Sequence, residues 1–226
     1  AFATNLPILP VGLIGEDGHG QTVLGALRRA GLPTRLLVTT GAALTAHTHV
    51  MTVPGDSRTF FYYPGTNDLL TETHIPVDVM AGVGIKLFYL GYINLMGAMD
   101  RVDPDGSTAA RRVRDRARAA GMITCVDLVS ADTPEFRRTI EAALPAIDYL
   151  FLNEVEAQRA TGLPITGPQD RDGLLAAARQ LQARGAGTVI LHTAHVSLWL
   201  GDHPVWAAAE RIDASQIVSP VGAGDA

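Results

Sequence analysis

The sequence is short of cysteine, of lysine and of long apolar runs, and each shortage excludes something. A single cysteine, Cys125, stands among 226 residues. That rules out an intramolecular disulfide framework and a multi-cysteine zinc site. It suits a reducing compartment, and a cytoplasmic location is the expectation. No apolar run reaches the roughly 18 residues a membrane span needs, and no secretory signal is evident, so no membrane partner is expected. Only Lys86 is lysine; every other basic residue is arginine. The 23 acids outnumber the 18 bases, giving a formal net charge of -5. That balance gives no general attraction to nucleic acid, and no such partner is expected. Several chemistries also lack their motifs. GxxxxGK[ST] is absent, which excludes a Walker A loop, and GHG at 18–20 does not extend to GxGxxG. Neither Ser197 nor Ser219 sits in a G-x-S-x-G elbow. His47 and His49 lie two apart, not in HExxH spacing, which argues against zinc.

What is present is ordinary globular composition, 47 % hydrophobic and 18 % charged, in a chain long enough for one sizeable core. PVGLIGEDGHGQTVLGALRRAGLPT opens with a short apolar run and a Gly/Asp turn. Val23, Leu24 and Leu27 then recur at helical spacing, and Gly31 stops the helix. LPTRLLVTT predicts a strand over 34–40. THVMTVPGDSRTFFYYPG predicts two short strands around a turn at Pro54, Gly55 and Asp56. Its aromatic run, Phe60 to Tyr63, alternates sides, so about half of it must face away from its own core side. A substrate lid, a subunit interface or plain strand packing would each use it.

From Gly84 the rhythm changes. Strands are predicted over 85–91, 122–129, 147–153 and 188–193, with helices over 108–120, 133–144 and 170–187 between them. A further helix starts at the end of the 147–153 strand. The 133–144 helix is expected to begin with Thr133 as N-cap and Pro134 in its first position. The 108–120 helix carries Arg111, Arg112, Arg114, Arg116 and Arg118, read as a solvated face. VSLWL and PVWAAA predict a hairpin across Gly201 and Asp202. Strand alternating with helix at this spacing predicts a mostly parallel sheet covered on both faces.

Ligands of open α/β sheets sit beyond the carboxyl ends of the strands. Three groups fall at such places. Asn153 and Glu156 close one strand and open a helix. They make either a plain capping box or an amide–carboxylate pair able to orient water around Mg2+ beside a phosphate. Asp127, at another strand end, could be a ligand, a substrate contact or a helix cap. Gly222, Ala223 and Gly224 leave the backbone almost bare ahead of Asp225. At a helix start their N–H groups would converge on an anion, and the acid could deprotonate an attacking hydroxyl. The bland alternative is a glycine turn followed by an acid.

The order of these groups resembles the ribokinase-like carbohydrate kinases, the PfkB family. VSPVGAGDA resembles the family's G-A-G-D run, with Asp225 in the place of the catalytic base and Gly222, Ala223 and Gly224 in the anion hole. Asn153 and Glu156 match its N-x-x-E motif, tied to Mg2+ and phosphate. GLIGEDGHG resembles its early G-x-x-G-x-D-x-x-G segment, and SRTFFYYPGTND its lid strand and turn. Asn5 resembles a remnant of a substrate element. Asp127 is a further substrate-binding candidate, while Thr193 and His195 fall near the nucleotide loop. The resemblance implies a single domain over 1–226 with a three-layer α/β/α fold and a mainly parallel sheet. It also implies a small β lid drawing on residues 43–63, and further residues before Ala1 and after Ala226. It implies phosphorylation of a primary hydroxyl on a sugar or sugar-like compound, with ATP and Mg2+, and a homodimer through the lid. The alternative is a non-catalytic sugar or nucleotide sensor on the same fold.

Overall fold

The structure is a computed structural model that describes residues 6–52, 59–131 and 133–210. It opens with a parallel pair, β1 (Val11–Gly15) and β2 (Leu36–Thr40), joined by helix α1 (Gly18–Arg29). An antiparallel ribbon follows, β3 (His47–Met51) and β4 (Thr59–Tyr63), in which His47 pairs with Tyr63 and Met51 with Thr59. Short helices α2 (Thr66–Leu69) and α3 (Val77–Gly82) lead to β5 (Leu87–Ile93), and α4 (Gly97–Asp100) follows that strand. The chain then alternates: α5 (Ala109–Ala119), β6 (Ile123–Leu128), α6 (Phe136–Ala143), β7 (Ile147–Asn153), α7 (Glu154–Thr161), α8 (Arg171–Ala183) and β8 (Ala186–His192). A hairpin, β9 (Val196–Leu200) and β10 (Pro204–Ala208), completes a six-stranded sheet in the order β10-β9-β8-β7-β6-β5. Strands β5 to β8 are parallel, and the hairpin is antiparallel to its neighbours. Pro204 lies on the edge strand, where its missing N–H breaks no central ladder. This is the three-layer α/β fold anticipated, with a mixed, mainly parallel sheet at its core and a small β ribbon apart from it.

The core follows from the two periodicities. On the strands, Leu90, Val126, Leu150, Leu152, Val189, Leu191 and Leu198 share one face and are buried. On the helices, Val113 and Ala117 of α5, Ile140 and Ala143 of α6, Ala157 and Ala160 of α7, and Leu174, Ala177 and Leu181 of α8 lie against it. The alanines let these helices approach closely. On the opposite sheet face Leu87, Tyr89, Ile123 and Trp199 remain about half exposed among the described residues. No helix among them is long and apolar enough to cross a membrane.

Two expectations are corrected. The 133–144 helix starts at Phe136, with Glu135 in the N-cap position and no side-chain cap. Phe136 N–H donates to the Thr133 carbonyl, so Thr133 to Phe136 form a turn ahead of the helix. The second correction is Arg114. It has no exposed surface, unlike a member of a solvated face. Ala110, Val113 and Ala117 are buried beside it on α5, and a residue one after Val113 and three before Ala117 falls on that same stripe.

Asp17 shows what the early glycine motif does locally. It caps α1 by accepting from Gly20 N–H at 2.7 Å. Its other oxygen accepts from Thr45 N–H at 2.7 Å, and the Thr45 hydroxyl donates at 2.8 Å to the oxygen that Gly20 N–H also reaches. These donors, Gly20 first and then Thr45, hold the carboxyl down to about 2. Gly15 N–H in turn donates to the Thr45 hydroxyl oxygen. A Cβ on Gly15 would stand 2.7 Å from the carbonyl oxygen of Ala43, and one on Gly20 would overlap the carbonyl oxygen of Gly15. Glycine at both positions lets the helix start meet the chain that enters the ribbon.

Candidate active site

The carboxyl ends of four neighbouring strands bring the candidate polar residues together. Asp127 on β6 pairs with Phe151 on β7, and Asn153 at the end of β7 pairs with His192 at the end of β8. Ile93, the last residue of β5, pairs with Leu128. Asp127, Asn153 and His192 therefore line one edge within a few residues of register.

Asn153 and Glu156 form a complete capping box. The Asn153 side chain accepts from Glu156 N–H at 2.9 Å, and the Glu156 carboxylate accepts from Asn153 N–H at 2.9 Å. The Asn153 amide nitrogen also donates to Glu156 Oε1 at 2.9 Å. Ser130 closes the group, donating to Glu156 Oε1 at 2.8 Å and accepting from Asn153 Nδ2 at 3.2 Å. Glu156 is only 4 % exposed. A buried carboxylate surrounded by donors at a helix N-terminus is held in one geometry. Arg159, one turn on, ties the same loop down by donating to the carbonyls of Ser130 and Ala131.

Asp127 is set differently. Tyr89 of β5 donates to its Oδ2 at 3.2 Å. Burial pushes its carboxyl up to about 6; the Tyr89 bond and His192 pull down, while Glu156 pushes up. Two carboxylates at one sheet edge thus have opposed surroundings, Glu156 ringed by donors and Asp127 short of them. A carboxyl raised by burial in that position, as Asp127 is, marks a candidate functional site.

Thr193 and His195 lie in the β8–β9 turn. The Thr193 hydroxyl donates to the Pro168 carbonyl at 2.8 Å and accepts from His195 N–H and Val196 N–H at 3.0 Å each. Thr193 shapes the turn, and His195 is exposed at its tip. Asn5, Gly222, Ala223, Gly224 and Asp225 lie outside the described residues.

The profile of the pfkB family carbohydrate kinases matches residues 9–226. The chain belongs to that family. Among pfkB relatives, a ribokinase of Arabidopsis thaliana is 25 % identical over 227 residues, which span 97 % of this chain and 54 % of the ribokinase. A fructokinase from Xylella fastidiosa, solved with bound ATP, superposes with a TM-score of 0.71 at 22 % identity, over 95 % of this chain and 64 % of the fructokinase. The structure of Arabidopsis ribokinase with ribose and ATP gives 0.69 at 22 % identity, over 95 % and 64 %. This pfkB chain thus spans about half the length of the curated relative it matches.

Within the pfkB frame, the residues found through sequence are Asn153, Glu156 and Asp127. Sequence reasoning did not find Ser130 or Tyr89. Ser130 lies 26 residues before Glu156, and Tyr89 lies 38 residues before Asp127. Only the side-by-side packing of β5, β6 and β7 brings them in. Ser130 had one usable signal, a hydroxyl two residues past the end of the β6 strand.

Proposed function

We propose that the protein transfers the γ-phosphoryl group of ATP to a primary hydroxyl of a sugar or sugar-like compound. The observation that carries this reading is the Asn153–Glu156 box at the carboxyl edge of the sheet, with Glu156 buried, tied by Ser130 and next to the raised carboxyl of Asp127. That edge is where phosphate chemistry is placed in open α/β sheets.

Among the described residues no three His, Cys, Asp or Glu side chains converge to hold a metal ion directly. The donor set instead suits a hydrated Mg2+, which keeps several waters and takes its other ligands from phosphates. Asn153 and Glu156 would hold that hydrated ion through its waters. When bound, Mg2+ supplies neutralisation of charge on the phosphates. Asp225 would take the proton of the acceptor hydroxyl as it attacks, and the backbone of Gly222, Ala223 and Gly224 would stabilise charge on the transferring phosphoryl. Asp127 and Asn5 would hold acceptor hydroxyls. Thr193 and His195 would flank the nucleotide. The ribbon over residues 43–63 would exclude water as a lid. Its exposed Met51, Phe61 and Tyr63 support a homodimer formed lid to lid. The single cysteine, Cys125, suits a reducing cytoplasm.

The test mixes the whole protein with ATP, Mg2+ and a panel of sugars, sugar acids, sugar phosphates and nucleosides. ADP release that depends on one compound supports the reading. Saturable binding of ATP and a sugar with no turnover would replace it with a sensor.

A further inference from the structure

Residues 94–100, a loop after β5 that ends in the single turn of α4, include or adjoin buried groups that the described residues leave partly unsatisfied. Arg114 of α5 is fully buried. Its Nη2 donates to the carbonyl of Ala143 at the end of α6. Its Nε and Nη1 have no acceptor among the described residues. Asp100 is 9 % exposed. Its Oδ2 accepts from Met96 N–H at 2.7 Å, which closes the loop on itself. Its Oδ1 is buried without a donor, and the Nδ2 of Asn94 is buried without an acceptor. Such groups are rare in folded proteins, and each calls for an explanation. Asn94 and Asp100 line, with Tyr62, a cavity of about 420 Å3, and Arg114 acts on Asp100 electrostatically, without a hydrogen bond or ion pair between them.

The same loop carries the ribbon. The Tyr62 hydroxyl of β4 donates to the Leu95 carbonyl at 2.9 Å and accepts from Asn67 Nδ2 at 2.9 Å. Gly97 packs so tightly on α2 that a Cβ there would overlap the Asp68 carboxylate.

We infer that Asp100 and Arg114 form a buried latch beneath loop 94–100 that sets, through the Tyr62–Leu95 hydrogen bond, how firmly the β3–β4 ribbon is seated. Both are positioning residues. A closed loop keeps a carboxyl and a guanidinium dehydrated with incomplete hydrogen bonding; an open loop rehydrates them. The balance between the two states therefore depends on the charge of Asp100. Burial pushes that carboxyl up to about 7, against the pull of the Met96 and Asn94 backbone donors and of Arg114. Burial brings Arg114 down to about 10, so it stays cationic at neutral pH. The other charged or titratable groups around the cavity are Arg101 beside Asp100, Asp68 of α2, Tyr62 of β4, and Glu135 and Arg138 at the start of α6. In the open loop Asp100 returns to an ordinary carboxyl value of about 4. The closed loop then holds the proton more tightly, so closure is most favoured below about pH 4 and weakens as pH rises to about 7.

The inference concerns the seating of the ribbon and not the reaction, so its test reads no turnover. Hydrogen exchange of the whole protein is followed by mass spectrometry at pH 5 and pH 7.5, corrected for intrinsic rates. Opening of 94–100 and of 59–63 should rise by a factor on the order of tens between the two pH values, while 147–153 in the core stays flat. Asp100→Asn should abolish the rise. Tyr62→Phe should abolish it in 59–63 and leave it in 94–100. A wild type without the rise, or an Asp100→Asn variant that keeps it, overturns the latch. Tyr62→Phe decides separately if Asp100→Asn does not fold: a ribbon that still follows the loop overturns the coupling.

Discussion

Asp127 and Glu156 carry the same group at the same sheet edge in different surroundings. Glu156 is ringed by donors from Asn153 and Ser130. Asp127 has one hydroxyl donor, Tyr89, and burial holds it at about 6. If the Asp127 carboxylate accepts from the sugar, the acceptor KM should fall roughly tenfold between pH 5 and pH 7, as the ionised fraction rises from about a tenth to about nine tenths. Asp127→Asn should show a high KM with no such slope. A wild-type KM flat across that range would remove Asp127 from the acceptor site. The two acids differ in how far sequence could read them. The Asn153–Glu156 box is local, three residues apart at a strand end, and its spacing already states its geometry. The partners of Asp127 come from another strand, through a register that one sequence does not print. Arg114 is hard to read for another reason: its charge signals solvent, whereas the helical period places it among Ala110, Val113 and Ala117.

At the scale of elements, the alternation of strand and helix was legible from Gly84 onward, because buried parallel strands are short apolar runs between amphipathic helices. The short helices α2, α3 and α4 were not legible, since each has too few residues to show a period. The early glycine motif was recognisable by resemblance, but its physical role needed coordinates. Asp17 joins the start of α1 to Thr45 at the entry to the ribbon. Its carboxyl is held down to about 2. The stability it contributes is therefore present above about pH 4 and is lost as pH falls through about 2. Asp17→Ala should lower the urea midpoint at pH 7, and its difference from wild type should shrink steadily below pH 4. A midpoint at pH 7 equal to wild type would show that the clamp does not hold the two elements together.

At the scale of the whole molecule, helices α5 to α8 pack among the described residues on the sheet face that carries Leu150, Leu152, Val189 and Leu191, and Leu150→Ala should cost roughly 2–5 kcal/mol in urea unfolding. A loss under about 1 kcal/mol would place Leu150 outside the core. The central claim is that this pfkB chain belongs to an enzyme that phosphorylates a sugar-like hydroxyl, with Asp225 as its base. The most direct measurement compares wild-type protein and Asp225→Asn for ATP affinity and for acceptor-dependent ADP release. The account predicts nearly unchanged ATP binding and loss of most of kcat. Near-normal turnover in Asp225→Asn would contradict it.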